Sequence, residues 1–181
     1  MENESGKLSP EQRYIFSVAE HLGIAPLPTL QHHGVATTTC AEKAALLGWD
    51  VGRTVKALYF QMDHHFLGVI VPELVTFERR SVLALFTGSK NQAKGYELHR
   101  RFPRGMELGT CTPFPLEFSV GEEIRGIAII DSPALDPVVV DISVGGVGEP
   151  AHKMSLHLPY GGISAVLQAK FGDQYIKRYV G

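Results

Sequence analysis

The chain has 181 residues, 44% of them hydrophobic and 20% charged, with a formal net charge of −2 at pH 7. That length suits one domain, and a chain of this size buries roughly 70% of the surface its unfolded form exposes, so it needs no disulfide or metal to hold together. The charge argues against a general nucleic-acid binder, which displaces counterions with a broad basic surface, and the two cysteines, Cys40 and Cys111, make no disulfide framework and point to a reducing compartment.

Residues 1–8 begin Met1-Glu-Asn-Glu-Ser-Gly-Lys, which reads as a disordered, polar N-terminus. It has no apolar stretch behind it of the kind a signal peptide needs, and no run of ~20 apolar residues suggests a membrane span. The expected location is the cytoplasm, with no membrane partner. From Pro10 the apolar residues Ile15, Val18, Ala19 and Leu22 fall on one helical face, with Ser9 as the cap, Pro10 in the first turn and Gly23 as the stop. A second helix starts at Thr39-Cys-Ala-Glu42, which has capping-box spacing, and runs to Gly48. Strands are expected at 54–62 and 66–71, joined as a hairpin by Asp63-His64-His65. The two histidines have the look of a metal pair, but at a hairpin tip they read better as solvated imidazoles.

Residues 74–108 are mixed, with helical patches around 78–86 and 91–101. Within them, Lys90, Lys94, Arg100, Arg101 and Arg104 stand against Glu97 alone between Ser89 and Arg104. This strip is either a solvated helix face or a landing site for a phosphate backbone. Two β-branched runs follow at 123–130 and 137–144, separated by a turn at Asp131-Ser-Pro-Ala, and a helix at 163–171 leads into Gln174-Tyr-Ile-Lys-Arg-Tyr. This order is α+β, a single domain of six or more strands in a mixed, partly closed, barrel-like sheet with helices outside it.

Signatures of triad hydrolases, P-loop nucleoside triphosphatases and zinc enzymes are missing from the sequence. What stands out is Lys56, set among apolar neighbours in Val55-Lys-Ala-Leu-Tyr-Phe60. Strand alternation puts it on the face of Leu58 and Phe60. It is either a lysine snorkelling from a sheet edge or a point charge aimed into a pocket, where low dielectric strengthens it as an electrophilic anchor. The loop Gly109-Thr110-Cys111-Thr112-Pro113 continues to Phe-Pro115. Glycine permits close backbone approach, and the prolines stiffen the loop and remove competing donors, so the remaining amides can face a carbonyl oxygen. An ordinary connecting turn is the plainer reading. Cys111 has no base beside it in the sequence to support a nucleophilic role. Gly145 and Gly146 close a strand at a tight turn or at a ligand, and His152 is a candidate for the polar rim.

Together these segments resemble the YbaK family of tRNA-editing domains, which includes Cys-tRNA(Pro) deacylases and the editing insertion of prolyl-tRNA synthetase. The likeness covers residues 10–73 and 105–178. It is carried by the apolar-Lys-apolar strand at Val55–Leu58, the Gly-x-x-x-Pro loop at Gly109–Pro113, the segment Ile129-Ile-Asp-Ser-Pro-Ala134, the strand ending in Gly145-Gly146, and the pattern Leu-x-x-Gly-x-x-x-x-Leu-x-x-Lys-Phe at 158–171. The resemblance implies the YbaK fold over residues 9–181 and a pocket for the aminoacyl group on the tRNA 3′ end. It implies an essential Lys56, a substrate-placing loop at 109–113, and neither metal nor cofactor. His152 corresponds to a histidine of the synthetase insertion. Ser155 replaces an aspartate found in some Cys-tRNA deacylases, and Leu30 replaces an aromatic residue before His32. The segment 74–104 is longer than in compact members. The function implied is deacylation in trans of tRNA mischarged with Cys, Ala or Ser, most readily tRNA(Pro), with tRNA and prolyl-tRNA synthetase as partners; oligomeric state stays open. One rival is a non-catalytic module that keeps the fold and binds an aminoacyl or nucleotide end or another protein. Another is a hydrolase of small activated esters or amides.

Overall fold

Ser9 caps the first helix, α1 (Pro10–His21), with an addition the sequence reading missed: Gln12 returns the hydrogen bond to the Ser9 amide, completing a capping box. A computed structural model describes residues 8–98, 101–115 and 119–181. Helix α2 (Cys40–Leu47) carries the expected box between Thr39 and Glu42 and stops at Gly48. The hairpin is β2 (Val55–Met62) against β3 (His65–Pro72), in antiparallel register from Val55–Pro72 to Met62–His65. Its turn leaves His65 accepting from Arg125.

The remaining elements in chain order are β1 (Thr29–His32), then, after the hairpin, α3 (Arg79–Thr87), α4 (Lys90–Ala93), β4 (Glu97–Leu98), β5 (Ile124–Ile130), β6 (Val139–Ser143), α5 (Glu149–His152), β7 (Met154–Pro159), α6 (Tyr160–Phe171) and β8 (Ile176–Tyr179). The helical patch expected over 91–101 is a single turn, α4, followed by the short edge strand β4. His99 and Arg100 of that patch lie outside the described residues, as do Met1–Lys7 of the expected disordered N-terminus. Lys90 of the basic strip is paired with Glu78 at 3.2 Å.

The barrel-like sheet is corrected to two sheets. One has the order β1-β7-β6, all antiparallel, and the other has the order β4-β2-β3-β5-β8, antiparallel as far as β3 and parallel beyond it. Among the described residues only an isolated bridge between Thr54 and Asp141 joins the two, so no barrel closes. The two β-branched runs, separated by a turn in the sequence, sit in different sheets. Strands β1, β7 and β8 escaped the sequence reading because their alternation is short or broken by polar residues such as His157.

The cores explain the layering. Val55, Ala57 and Tyr59 of β2 face the larger core, between the five-stranded sheet, the three-stranded sheet, α1 and α6. Leu58 and Phe60 face a second core under α3 and α4. The inner strands β3 and β5 are buried on both faces, so they read as continuous apolar runs rather than alternating ones. No helix among the described residues is long and apolar enough to cross a membrane.

Candidate functional site

Where the first residues of β2, the N-terminus of α2, the end of β6 and the 108–111 loop converge, the structure encloses a cavity of about 730 Å³. Val55, Ala57 and Tyr59 give it an apolar wall, and Leu98, Phe102 and Leu108 stand at its border. Leu98 and Leu108 are largely exposed, which suits a mouth that receives a large ligand.

Lys56 lines this cavity. It sits on the face of β2 predicted by alternation, but near the strand's start, where the ammonium reaches the opening instead of the core. Its side chain is 36% exposed, and Nζ lies 3.0 Å from Glu73 Oε2 just beyond the end of β3. The cation is therefore held by a carboxylate of the neighbouring strand, a partner that sequence reasoning did not supply.

Gly109 and Cys111 form another part of the cavity wall, and their amides donate to no protein acceptor among the described residues. Gly109 has φ +87°, and a Cβ there would come within 2.8 Å of Thr38 Cα and 3.1 Å of His152 Cε1. Only glycine permits both the turn and the approach. The neighbours do structural work. Thr110 is fully buried and donates to Gly146 O at 2.7 Å. Gly146 in turn donates to Gly105 O at 2.7 Å. Thr112 O accepts from the buried Tyr59 hydroxyl at 2.8 Å, and Thr112 packs against Gly145, where φ is +79° and a Cβ would meet its methyl at 2.9 Å. Pro113 is buried behind the loop. Thr110, Thr112, Pro113, Gly145 and Gly146 thus brace the wall that Gly109 and Cys111 present.

His152 stands behind this wall: its ring nitrogens lie 3.0 Å from Thr37 O and 3.0 Å from Glu107 Oε1. It clips the 33–38 segment to the 105–110 turn. Ser155, fully buried in β7, pairs in register with Gln31 and Ser143 and does not line the cavity.

Burial pushes the Cys111 thiol up to about 12, and the group donates to Glu107 O at 3.6 Å. Burial likewise pushes Cys40 up to about 11. Neither holds a meaningful thiolate fraction near neutral pH. Cys111→Ala is accordingly expected to keep wild-type hydrolytic activity in a deacylation assay at pH 7.5; loss of activity would reinstate a thiol nucleophile.

A buried charged pair was not foreseen. Lys43 is 7% exposed, and its ammonium reaches Ser143 Oγ at 3.0 Å and Asp141 Oδ2 at 3.5 Å. Asp141, 1% exposed, takes a second bond at Oδ1 from His157 Nε2 at 3.1 Å, and an ionised carboxylate can only accept, so Nε2 carries the hydrogen. His157 stacks on Trp49 with ring centroids 4.5 Å apart, and Arg53 covers Trp49 at 4.0 Å. Lys43, Asp141 and Ser143 all line the cavity. A signal did exist in the sequence. Lys43 falls on the Cys40–Ala44–Leu47 stripe of α2, and Asp141 interrupts a Val-Val-Val-x-Ile strand. Opposite charges at two apolar positions imply a buried pair. Among the described residues no group of three or more His, Cys, Asp or Glu side chains is placed to hold a metal.

The fold is similar to a YbaK-like one, a mixed α+β domain, and its cavity is lined by a strand lysine and a glycine-started loop. No family model matches the chain, and no curated protein matches its sequence, whereas solved structures do. A hypothetical protein, APE2540, is 17% identical and superposes with a TM-score of 0.59 over 91% of this chain and 97% of its own. A protein from computational epitope grafting onto scaffolds is 17% identical, with a TM-score of 0.55 over 96% and 97%. A protein described as a "putative trans-editing enzyme for prolyl tRNA synthetase" is 18% identical, with a TM-score of 0.56 over 97% of both chains. At such identities the likeness is one of fold.

Proposed function

We propose that residues 9–181 are an aminoacyl-tRNA editing domain that hydrolyses, in trans, the ester of a small amino acid, Cys, Ala or Ser, misplaced on tRNA, in the first instance tRNA(Pro). The observation that carries the reading is a single cavity lined both by the cation Lys56 and by Gly109 and Cys111, two residues whose amides are not engaged within the protein among the described residues. The fold likeness to the trans-editing protein supports it. The partners are then the acceptor end of tRNA and, through it, prolyl-tRNA synthetase.

An aminoacyl ester is already activated, so positioning and oxyanion stabilisation suffice without a triad. In this reading the ester carbonyl oxygen faces Lys56 and the loop amides. Water attacks the carbonyl carbon, negative charge collects on the oxygen, and the bond to the ribose oxygen breaks as that oxygen takes up a proton. For Cys substrates the substrate's own thiol can replace water, releasing the amino acid as a cyclic thioester, whereas the vicinal ribose hydroxyl can only hydrogen-bond the attacking water, since its own attack would merely move the ester from one ribose oxygen to the other. Glu73 keeps the Lys56 ammonium at the mouth.

The ion pair also favours one other reading, a binding module in which Lys56 is held by Glu73 rather than free for chemistry. Incubating the purified chain with Ala-, Ser- and Cys-tRNA(Pro) and following amino-acid release separates the two. Release well above the spontaneous rate for at least one substrate is expected; none across the panel leaves the binding module.

A further inference from the structure

The inner end of the cavity is built differently from its mouth. Burying an ammonium is costly unless its donors find acceptors, and Lys43 Nζ has three N–H groups. Two protein acceptors are within reach, Ser143 Oγ at 3.0 Å and Asp141 Oδ2 at 3.5 Å. Both are fixed from behind: Ser143 donates its own hydrogen to Gly109 O at 3.1 Å, and Asp141 is held by His157. The ammonium cannot swing away without stranding the buried carboxylate. The third donor has only the cavity to serve.

We propose that Lys43 is a ligand-binding residue that donates to a neutral oxygen on the side chain of the bound aminoacyl group, which makes the site selective for small polar amino acids over aliphatic ones of equal size. This rests on the editing reading and names its substrate class. The two lysines divide the substrate: Lys56, at the mouth, meets the ester, and Lys43, at the buried end, meets the side chain. Asp141 beside the same ammonium repels a carboxylate, so the favoured group is a hydroxyl. Serine fits. Alanine occupies the same space but leaves the buried donor unanswered, and sites built to hydrogen-bond a hydroxyl discriminate strongly against analogues without it.

The test uses the full chain and two stable mimics of the tRNA terminus, 3′-serylamino- and 3′-alanylamino-3′-deoxyadenosine, in which an amide replaces the scissile ester. Calorimetric titration is expected to give a Kd at least ~10-fold lower for the seryl compound. Lys43→Met alone strands Asp141, so the informative variant is Lys43→Met with Asp141→Asn, which keeps an oxygen for His157 while removing both charges. In that variant the preference should collapse toward one with the circular dichroism spectrum unchanged. Equal binding of the two compounds to the wild type overturns the role of Lys43 whether or not the variant folds, as does a preference that survives in a folded variant. If neither compound binds the wild type, the editing reading itself falls and the assignment falls with it.

Discussion

Lys56→Ala should lower the rate of deacylation of the best mischarged tRNA by ~10²–10³, the usual cost of losing one group that stabilises developing oxyanion charge. The same change should hardly affect folding. The Lys56–Glu73 pair is partly exposed, 36% and 29% at the two side chains, and a pair so hydrated contributes no more than about 1 kcal/mol. The rate is diagnostic, because a lysine that only bridged two strand ends would show the same small change in stability and none in rate. Thermal unfolding and single-turnover hydrolysis on one preparation measure both. A variant retaining more than half of the wild-type rate removes Lys56 from the chemistry.

Much of this site was legible in the sequence, and the part that was not has a physical cause. Lys56 could be found because one charged residue in an apolar strand violates a local pattern, and the Gly109–Pro113 loop because glycine and proline each constrain the backbone locally. The hairpin, the α2 capping box and the C-terminal helix are also local and came out close to the observed boundaries. Glu73 could not be found that way. It follows a proline in a polar-looking connection, and its meaning depends on the antiparallel register that sets Lys56 opposite Val71. The division into two sheets is likewise non-local. Strands 124–130 and 139–143 both read as β-branched runs, and the distant partners of each, β3 and β8 for one and β7 for the other, decide which sheet it joins. Residues assigned to the substrate by their motif, Thr110 and Thr112, have become braces because their hydroxyls found carbonyl and amide partners inside the protein. Sequence spacing tells which loop approaches the cavity, and packing tells which of its atoms do.

Asp141→Ala is expected to produce the largest loss of stability of any single change at the site. Removing one partner of a buried ion pair typically costs ~3–5 kcal/mol, since the other charge stays behind without compensation. Here two groups would be stranded, the Lys43 ammonium and the His157 Nε2–H, both nearly inaccessible to water. A domain with a total stability of ~5–15 kcal/mol would lose a large share of it. Urea unfolding should show a lower midpoint at unchanged slope, the mark of an altered native state rather than an altered unfolded one. High salt should not rescue or mimic the effect, because a buried pair is only weakly screened, in contrast to Lys56–Glu73 at the mouth. The double change Lys43→Met/Asp141→Asn should recover most of the loss, since no uncompensated charge remains and His157 keeps an acceptor. That recovery would place the penalty in desolvated charge rather than in lost packing. A loss below about 1 kcal/mol for Asp141→Ala, the size of an exposed pair, would mean that water reaches Lys43 freely and that Lys43 is no directional donor at the inner end of the cavity.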